Sequence, residues 1–127
     1  QSGLRFVNRQ PGSGTRTLLD FQLRRCGIVP QNILGYPTVA TTHLAVARAV
    51  AEGDADTGLG LYAAAAAFGL DFVPLASERY HLVLLAADRR SLPLGPVIDM
   101  ITTQDFRDVV AGLGGYDTTH TGEEIFL

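Results

Sequence analysis

The stretch that most limits what this chain can become is Leu4-Arg5-Phe6-Val7-Asn8-Arg9-Gln10-Pro11-Gly12-Ser13-Gly14-Thr15-Arg16. A short apolar segment runs into a Gly/Pro/Ser turn and then into a helical pattern carrying Leu18, Leu19, Phe21 and Leu23. This predicts a strand over 4–8 feeding a helix over 14–26. The junction gathers free backbone N–H groups, two hydroxyls and the positive end of a helix at one point. Such a point suits an oxyanion, and Arg9 and Arg16 flank it with charge-assisted donors. A capped βα turn that binds nothing would use the same residues, because Ser and Thr are common N-caps.

The strand–helix alternation continues. Arg24 and Arg25 close the first helix where cations complement its dipole, and Gly27 follows as the C′ residue. After a connector at 28–32, Ile33-Leu34-Gly35-Tyr36 predicts a short strand, with Val39 as its furthest reach. Thr42 is the expected cap of a second helix over Leu44–Glu52. Residues 56–60 read as a short strand ending in a glycine turn, and Leu61–Phe68 as a third, alanine-rich helix. Asp71–Leu75 is a further expected strand, and Tyr80–Ala86 the longest, its apolar run predicting a central place buried on both faces. Leu92-Pro93 punctuates the chain before helices over 95–101 and 104–111, the second capped by Thr103, and a Gly/Thr-rich loop from 112 to 127. Short connections in this order predict an α/β fold, a mostly parallel sheet with helices on both faces.

Composition removes several function classes. At 127 residues the chain suffices for one domain. Apolar residues at 46% and charged residues at 18% mark it as globular rather than disordered. A net charge of −3 argues against a nucleic-acid surface spread over the domain but not against a local anion pocket. Cys26, the single cysteine, rules out an internal disulfide and implies no oxidising compartment; it is expected as a small buried apolar residue. The richest apolar stretch, Gly58–Leu70, is too short to span a bilayer, and the start does not read as a signal peptide, so a cytoplasmic location away from membranes is expected. Gln1-Ser2-Gly3 leads almost at once into a strand, which suggests a chain that begins inside a larger protein.

Three βα junctions carry small or hydroxyl residues at a helix start: Ser13-Gly14-Thr15, Thr41-Thr42-His43, and Gly58-Leu59-Gly60 before Tyr62. In a parallel sheet all three lie at the carboxyl ends of strands, the edge where α/β sheets bind ligands. Gly12-Ser13-Gly14 lacks the Gly-x-Ser-x-Gly spacing of a nucleophile elbow. No Lys follows it, which excludes a nucleotide P-loop. His43, His81 and His120 lack a carboxylate at metal spacing, so neither a metal nor a cofactor is expected. His43 is kept as a ligand contact with packing or capping as its alternative, and His81 is read as structural. Asp54 and Asp56 are read as solvated at the opposite end of the sheet, and Glu78 and Arg79 as a surface pair, with a place for Arg79 at the crevice as the alternative. No acid pair and no Ser/His/Asp set emerges, so the domain is expected to bind rather than catalyse.

Four stretches carry a family resemblance: residues 6–16, Thr42-His43-Leu44-Ala45-Val46-Ala47, Gly53-Asp54-Ala55-Asp56-Thr57-Gly58-Leu59-Gly60, and Leu70-Asp71-Phe72-Val73-Pro74-Leu75 followed by Glu78-Arg79-Tyr80. Together they resemble the periplasmic-binding-protein-like (type 2) domain found fused to molybdopterin biosynthesis proteins and to helix-turn-helix regulators. That domain is similar to molybdate- and tungstate-binding proteins and, more remotely, to the effector domains of LysR-type regulators. The resemblance implies a three-layer α/β lobe. Residues 4–80 would correspond to a second lobe, and residues 81–127 to a return crossing strand and C-terminal helices; the segment that builds most of the first lobe is absent. It implies a non-catalytic module for a small oxyanion, molybdate or tungstate, tied to molybdenum-cofactor biosynthesis or metal-responsive regulation. The expected ligand set is Arg9, Ser13, Gly14, Thr15, Arg16, Thr42, His43, Gly58 and Tyr62. The alternative is a regulator's effector domain binding an organic metabolite on the same edge. Expected partners are the missing lobe, a fused domain and, through exposed apolar surface, a second copy in a homodimer; no nucleic acid is expected on this domain.

Overall fold

A computed structural model describes residues 3–91 and 94–125, so the expectations at Gln1-Ser2, Leu92-Pro93 and the last two residues of the tail lie outside the described residues. The chain forms two compact units, Gln1–Val73 and Pro74–Leu127.

The first unit is built on a parallel three-stranded sheet in the order β2–β1–β3. In chain order it contains β1 (Phe6–Arg9), α1 (Gly14–Arg25), a 3-10 turn (Pro30–Asn32), β2 (Val39–Ala40), α2 (His43–Ala51), β3 (Thr57–Gly58) and α3 (Tyr62–Ala67). Asn8 and Arg9 stand opposite Val39 and Ala40; Phe6 and Val7 stand opposite Thr57 and Gly58. With a neighbour on each side, β1 is central, and Val7 and Asn8 are 2% and 1% exposed. Val7, Val46 and Ala55 form the core, with Ala40, Ala49 and Val50 packed against it. The small side chains of α2 bring the helix close to the sheet. A Cβ on Gly58 would sit 2.6 Å from Val46 Cγ1 and 2.9 Å from the Val7 carbonyl oxygen.

The structure corrects expectations in this unit. Residues 33–36 form a turn, not a strand. Gly35 adopts φ +83° and lies so close to Phe6 that a Cβ would meet its carbonyl oxygen at 2.2 Å. The turn is fastened by Phe6 N–H to the Leu34 carbonyl at 2.8 Å and Thr38 N–H to the Gly35 carbonyl at 2.8 Å. Cys26 is exposed, because it caps α1 instead of facing the sheet.

In the second unit a 3-10 turn (Ala86–Asp88) precedes α4 (Leu94–Ile101) and α5 (Gln104–Gly112). Ile98 is buried, and Thr103 caps α5 by accepting the Phe106 N–H at 3.2 Å. Arg89 is paired with Glu124, its Nε donating at 2.8 Å. The expected strands at 71–75 and 80–86 do not form. Leu82, Val83 and Leu85 are 59%, 90% and 73% exposed instead of buried. Apolar β-formers become a strand only when a ladder satisfies their N–H and C=O groups, and no described strand pairs with this segment. Glu78 accepts the Tyr80 hydroxyl at 3.1 Å, where a pair with Arg79 was expected.

At the amino end of β1, Arg5 grips Asp56. Its Nη2 and Nε donate to the carboxylate at 2.7 and 3.1 Å, and its amide donates at 2.7 Å. Asp56 is thus paired, where it was expected to be merely solvated. The side-chain bond from Arg5, reinforced by the Arg5 amide, lowers the Asp56 carboxyl to about 2. An unfolded Asp titrates near 3.9, so between those values the unfolded chain holds the extra proton. The pair's contribution is complete above about pH 4 and is lost as pH falls through about 2. Asp56→Asn is expected to lower the melting temperature at pH 7 and to flatten the acid limb of a melting profile in that window. Parallel acid limbs in variant and wild type would refute the assignment.

Candidate functional site

The carboxyl ends of β1, β2 and β3 are Arg9, Ala40 and Gly58, and a helix starts a few residues beyond each. All three starts therefore lie at one edge of the sheet, the edge where open α/β sheets take ligands.

At the first start, Ser13 is the N-cap of α1, with φ −72° and ψ 145°. Its Oγ accepts the Arg16 N–H at 3.2 Å and donates to the Gln10 carbonyl at 3.0 Å, so the hydroxyl is engaged as both acceptor and donor. The Gly14 and Thr15 N–H groups belong to the turn whose amides have no intrahelical acceptor, and neither donates to a described residue. At the second start, Thr42 caps α2 by accepting the Ala45 N–H at 3.0 Å. His43 is the first residue of α2 and is half-buried, with Nδ1 3.9 Å from where a Cβ on Gly60 would stand. The third start is weaker: α3 has six residues and no side-chain cap. Tyr62 there is 44% exposed and meets Phe72 edge-on, ring centroids 5.4 Å apart.

Arg9 closes β1 and is 8% exposed. Its Nη2 donates to the Thr41 carbonyl at 3.2 Å, which sets the guanidinium beside the start of α2. The Gln10 carboxamide fits best with its nitrogen toward the Thr41 and Ala40 carbonyls, at 3.1 and 3.2 Å. Turned the other way, its oxygen would accept Arg9 Nε at 3.3 Å. In either orientation Arg9 Nη1 is buried with no acceptor among the described residues. An unmet buried donor costs about 1–3 kcal/mol, and more when it is charged. Among the described residues no carboxylate pairs with the Arg9 charge, and neither α1 nor α2 has an acidic residue in its first turn. Asp20 is engaged by Arg16 and Tyr36, and Asp56 lies at the far end of the strand.

Of the nine residues singled out from sequence, Arg9, Ser13, Gly14, Thr15, Thr42, His43 and Tyr62 stand at this edge. Arg16 is directed inward, donating from Nε to Asp20 at 3.1 Å and from Nη1 to the Arg9 carbonyl at 3.3 Å. Gly58 is packed among Val7 and Val46. Asn8, Gln10, Asp20 and Tyr36, which support the site, were not singled out. The available signal was a run of three polar residues, Asn8-Arg9-Gln10, ending an otherwise apolar strand. Among the described residues no three His, Cys, Asp or Glu come together to hold a metal, and no helix is long and apolar enough to cross a membrane.

Residues 1–102 match the model of the PBP superfamily domain. The chain is similar to "Uncharacterized protein YvgK" of Bacillus subtilis (strain 168), 37% identical over 125 residues that make up 98% of this chain and 40% of that protein. It is also similar to "Uncharacterized protein in ferredoxin 2Fe-2S gene 5'region" of Clostridium pasteurianum, 39% identical over 107 residues, 84% of this chain and 95% of that protein. No solved structure matches.

If the Ser13 and Thr42 hydroxyls serve as caps, Ser13→Ala and Thr42→Ala should each lower stability by about 1 kcal/mol in urea unfolding with an unchanged slope. Ser13→Gly should cost only a few tenths of a kcal/mol. A Ser13→Ala protein as stable as wild type would show that the hydroxyl is not the cap.

Proposed function

Because the chain belongs to the PBP superfamily domain family, a family of ligand-binding modules, we propose that it takes a small oxyanion at the carboxyl edge of its sheet, without catalysis. The observation that carries this reading is the Arg9 guanidinium, buried with Nη1 lacking an acceptor. A charged donor in that condition is destabilising unless an anion meets it. The Gly14 and Thr15 amides and the Thr15 hydroxyl supply further donors, and the start of α2 adds a second positive pole. One guanidinium and two helix ends of about +0.5 each amount to about +2, which a doubly charged oxyanion offsets. Molybdate and tungstate are such anions and are the ones the family resemblance favours. Nη1 is buried, so the anion reaches it through a rotamer change of Arg9.

Right-handed crossovers from β1 to β2 and back across to β3 would place α1 and α2 on opposite faces, giving a three-layer lobe of the type 2 kind. The chain spans 40% of the Bacillus subtilis relative. Its place in a larger cytoplasmic protein, serving molybdenum-cofactor biosynthesis or metal-responsive regulation, is part of the proposal.

Titration calorimetry with sodium molybdate, tungstate, sulfate and phosphate tests the reading. Saturable heat with molybdate or tungstate is expected, and it should vanish in Arg9→Met. Without anion, the same variant should lie within about 1 kcal/mol of wild-type stability, because one hydrogen bond is lost and one unmet buried charge is removed. No heat from any of the four anions overturns the oxyanion assignment. Binding of an organic carboxylate in their place would move the site to metabolite sensing.

A further inference from the structure

We propose that Tyr36 is the positioning residue of this site, fixing the Arg9 guanidinium through the two side chains that hold the Arg9 main chain; the inference rests on the anion-binding reading above. The Arg9 N–H donates to Asn8 Oδ1 at 3.0 Å, and the Arg9 carbonyl accepts Arg16 Nη1 at 3.3 Å. Both holders meet at Tyr36. Asn8 Nδ2 donates to the Tyr36 carbonyl at 3.2 Å, and the Arg16 guanidinium carbon lies 4.1 Å from the centroid of the Tyr36 ring. Asp20 then locks the stack, accepting the Tyr36 hydroxyl at 2.5 Å and Arg16 Nε at 3.1 and 3.2 Å. The contacts form a closed circuit from the Arg9 amide through Asn8, Tyr36 and Arg16 to the Arg9 carbonyl.

The circuit exists because β1 outruns its neighbour. Phe6 and Asn8 direct their N–H groups to the Leu34 and Thr38 carbonyls on the β2 side. By strand alternation Arg9 directs its own toward β3, whose last paired residue, Gly58, stands opposite Val7. Side chains therefore replace the missing ladder. The torsions they hold set the direction of a long side chain, and a binding group must stay within about 0.5 Å of its productive place. Tyr36 in turn is held by the turn at Gly35 and by its N–H bond to the Ile33 carbonyl at 3.1 Å. It touches the site only through other residues.

The test uses the full chain with sodium molybdate and tungstate as probes, and reads the Arg9 Nε–H resonance without anion. Tyr36→Leu, which removes the ring, should weaken molybdate binding at least about tenfold and move that resonance. Tyr36→Phe, which keeps ring and carbonyl, should bind within about threefold of wild type. Asp56→Asn, at the other end of the strand, should leave the resonance in place. Wild-type affinity in a folded Tyr36→Leu protein overturns the proposal. Should wild type bind neither probe, the anion reading fails, and the resonance alone decides the positioning: moved in Tyr36→Leu and still in Tyr36→Phe upholds it, unmoved overturns it. If Tyr36→Leu does not fold, Tyr36→Met replaces it, because it likewise removes the ring and keeps the carbonyl, with the same readings expected.

Discussion

A central strand needs hydrogen bonds on both sides along its whole length, and β1 has them only part of the way. Toward β2 the ladder reaches Arg9, opposite Ala40; toward β3 it ends with Val7, opposite Gly58. The overhang falls in the interior, where an unmet amide is costly. A buried Asn at 8 and an inward Arg at 16 are the consequences, and neither is a residue type that a strand core or a helix start favours on its own. Arg9 itself is left with its main chain satisfied and its charge not. That separation between a settled backbone and an unsettled side chain marks a binding group, because packing alone would have placed an apolar residue there.

The elements legible in the sequence were those defined by local chemistry. Thr42 and Thr103 cap the helices they were expected to cap, and Ser13, expected as a ligand hydroxyl with capping as its alternative, caps α1, since a side-chain oxygen meeting an N–H three residues on depends on nothing remote. Apolar pattern misled where the outcome depended on distant chain. Residues 80–86 have the composition of a buried strand, yet all but the half-buried Leu84 are exposed, because pairing depends on a partner that composition does not encode. Residues 33–36 looked extended for the same reason, while the deciding feature was the close approach of Gly35 to Phe6.

For the site, the sequence indicated the helix starts but not how their groups are used. A serine hydroxyl that caps and a serine hydroxyl that binds an anion look alike in one dimension. Arg9 and Arg16 looked equivalent too. What separates them is that Asp20 and Tyr36 lie beside Arg16, whereas among the described residues no carboxylate pairs with Arg9 and its Nη1 has no partner. Asp20, one helical turn from Arg16, stands at a spacing that pairs side chains on a helix, though it was not singled out; Tyr36, twenty residues along, carries no such local signal.

The crowding at Gly58 carries one more implication. A methyl group there would collide with Val46 Cγ1 at 2.6 Å, a clash that shrinking residue 46 could relieve. It would also meet the Val7 carbonyl oxygen at 2.9 Å, which no side-chain replacement can move. Compensating double substitutions are therefore closed off, and drift at position 46 cannot free position 58 to vary. The room at Gly58 between the first and third strands is set by main-chain contact, a dimension that sequence change elsewhere in the unit does not retune.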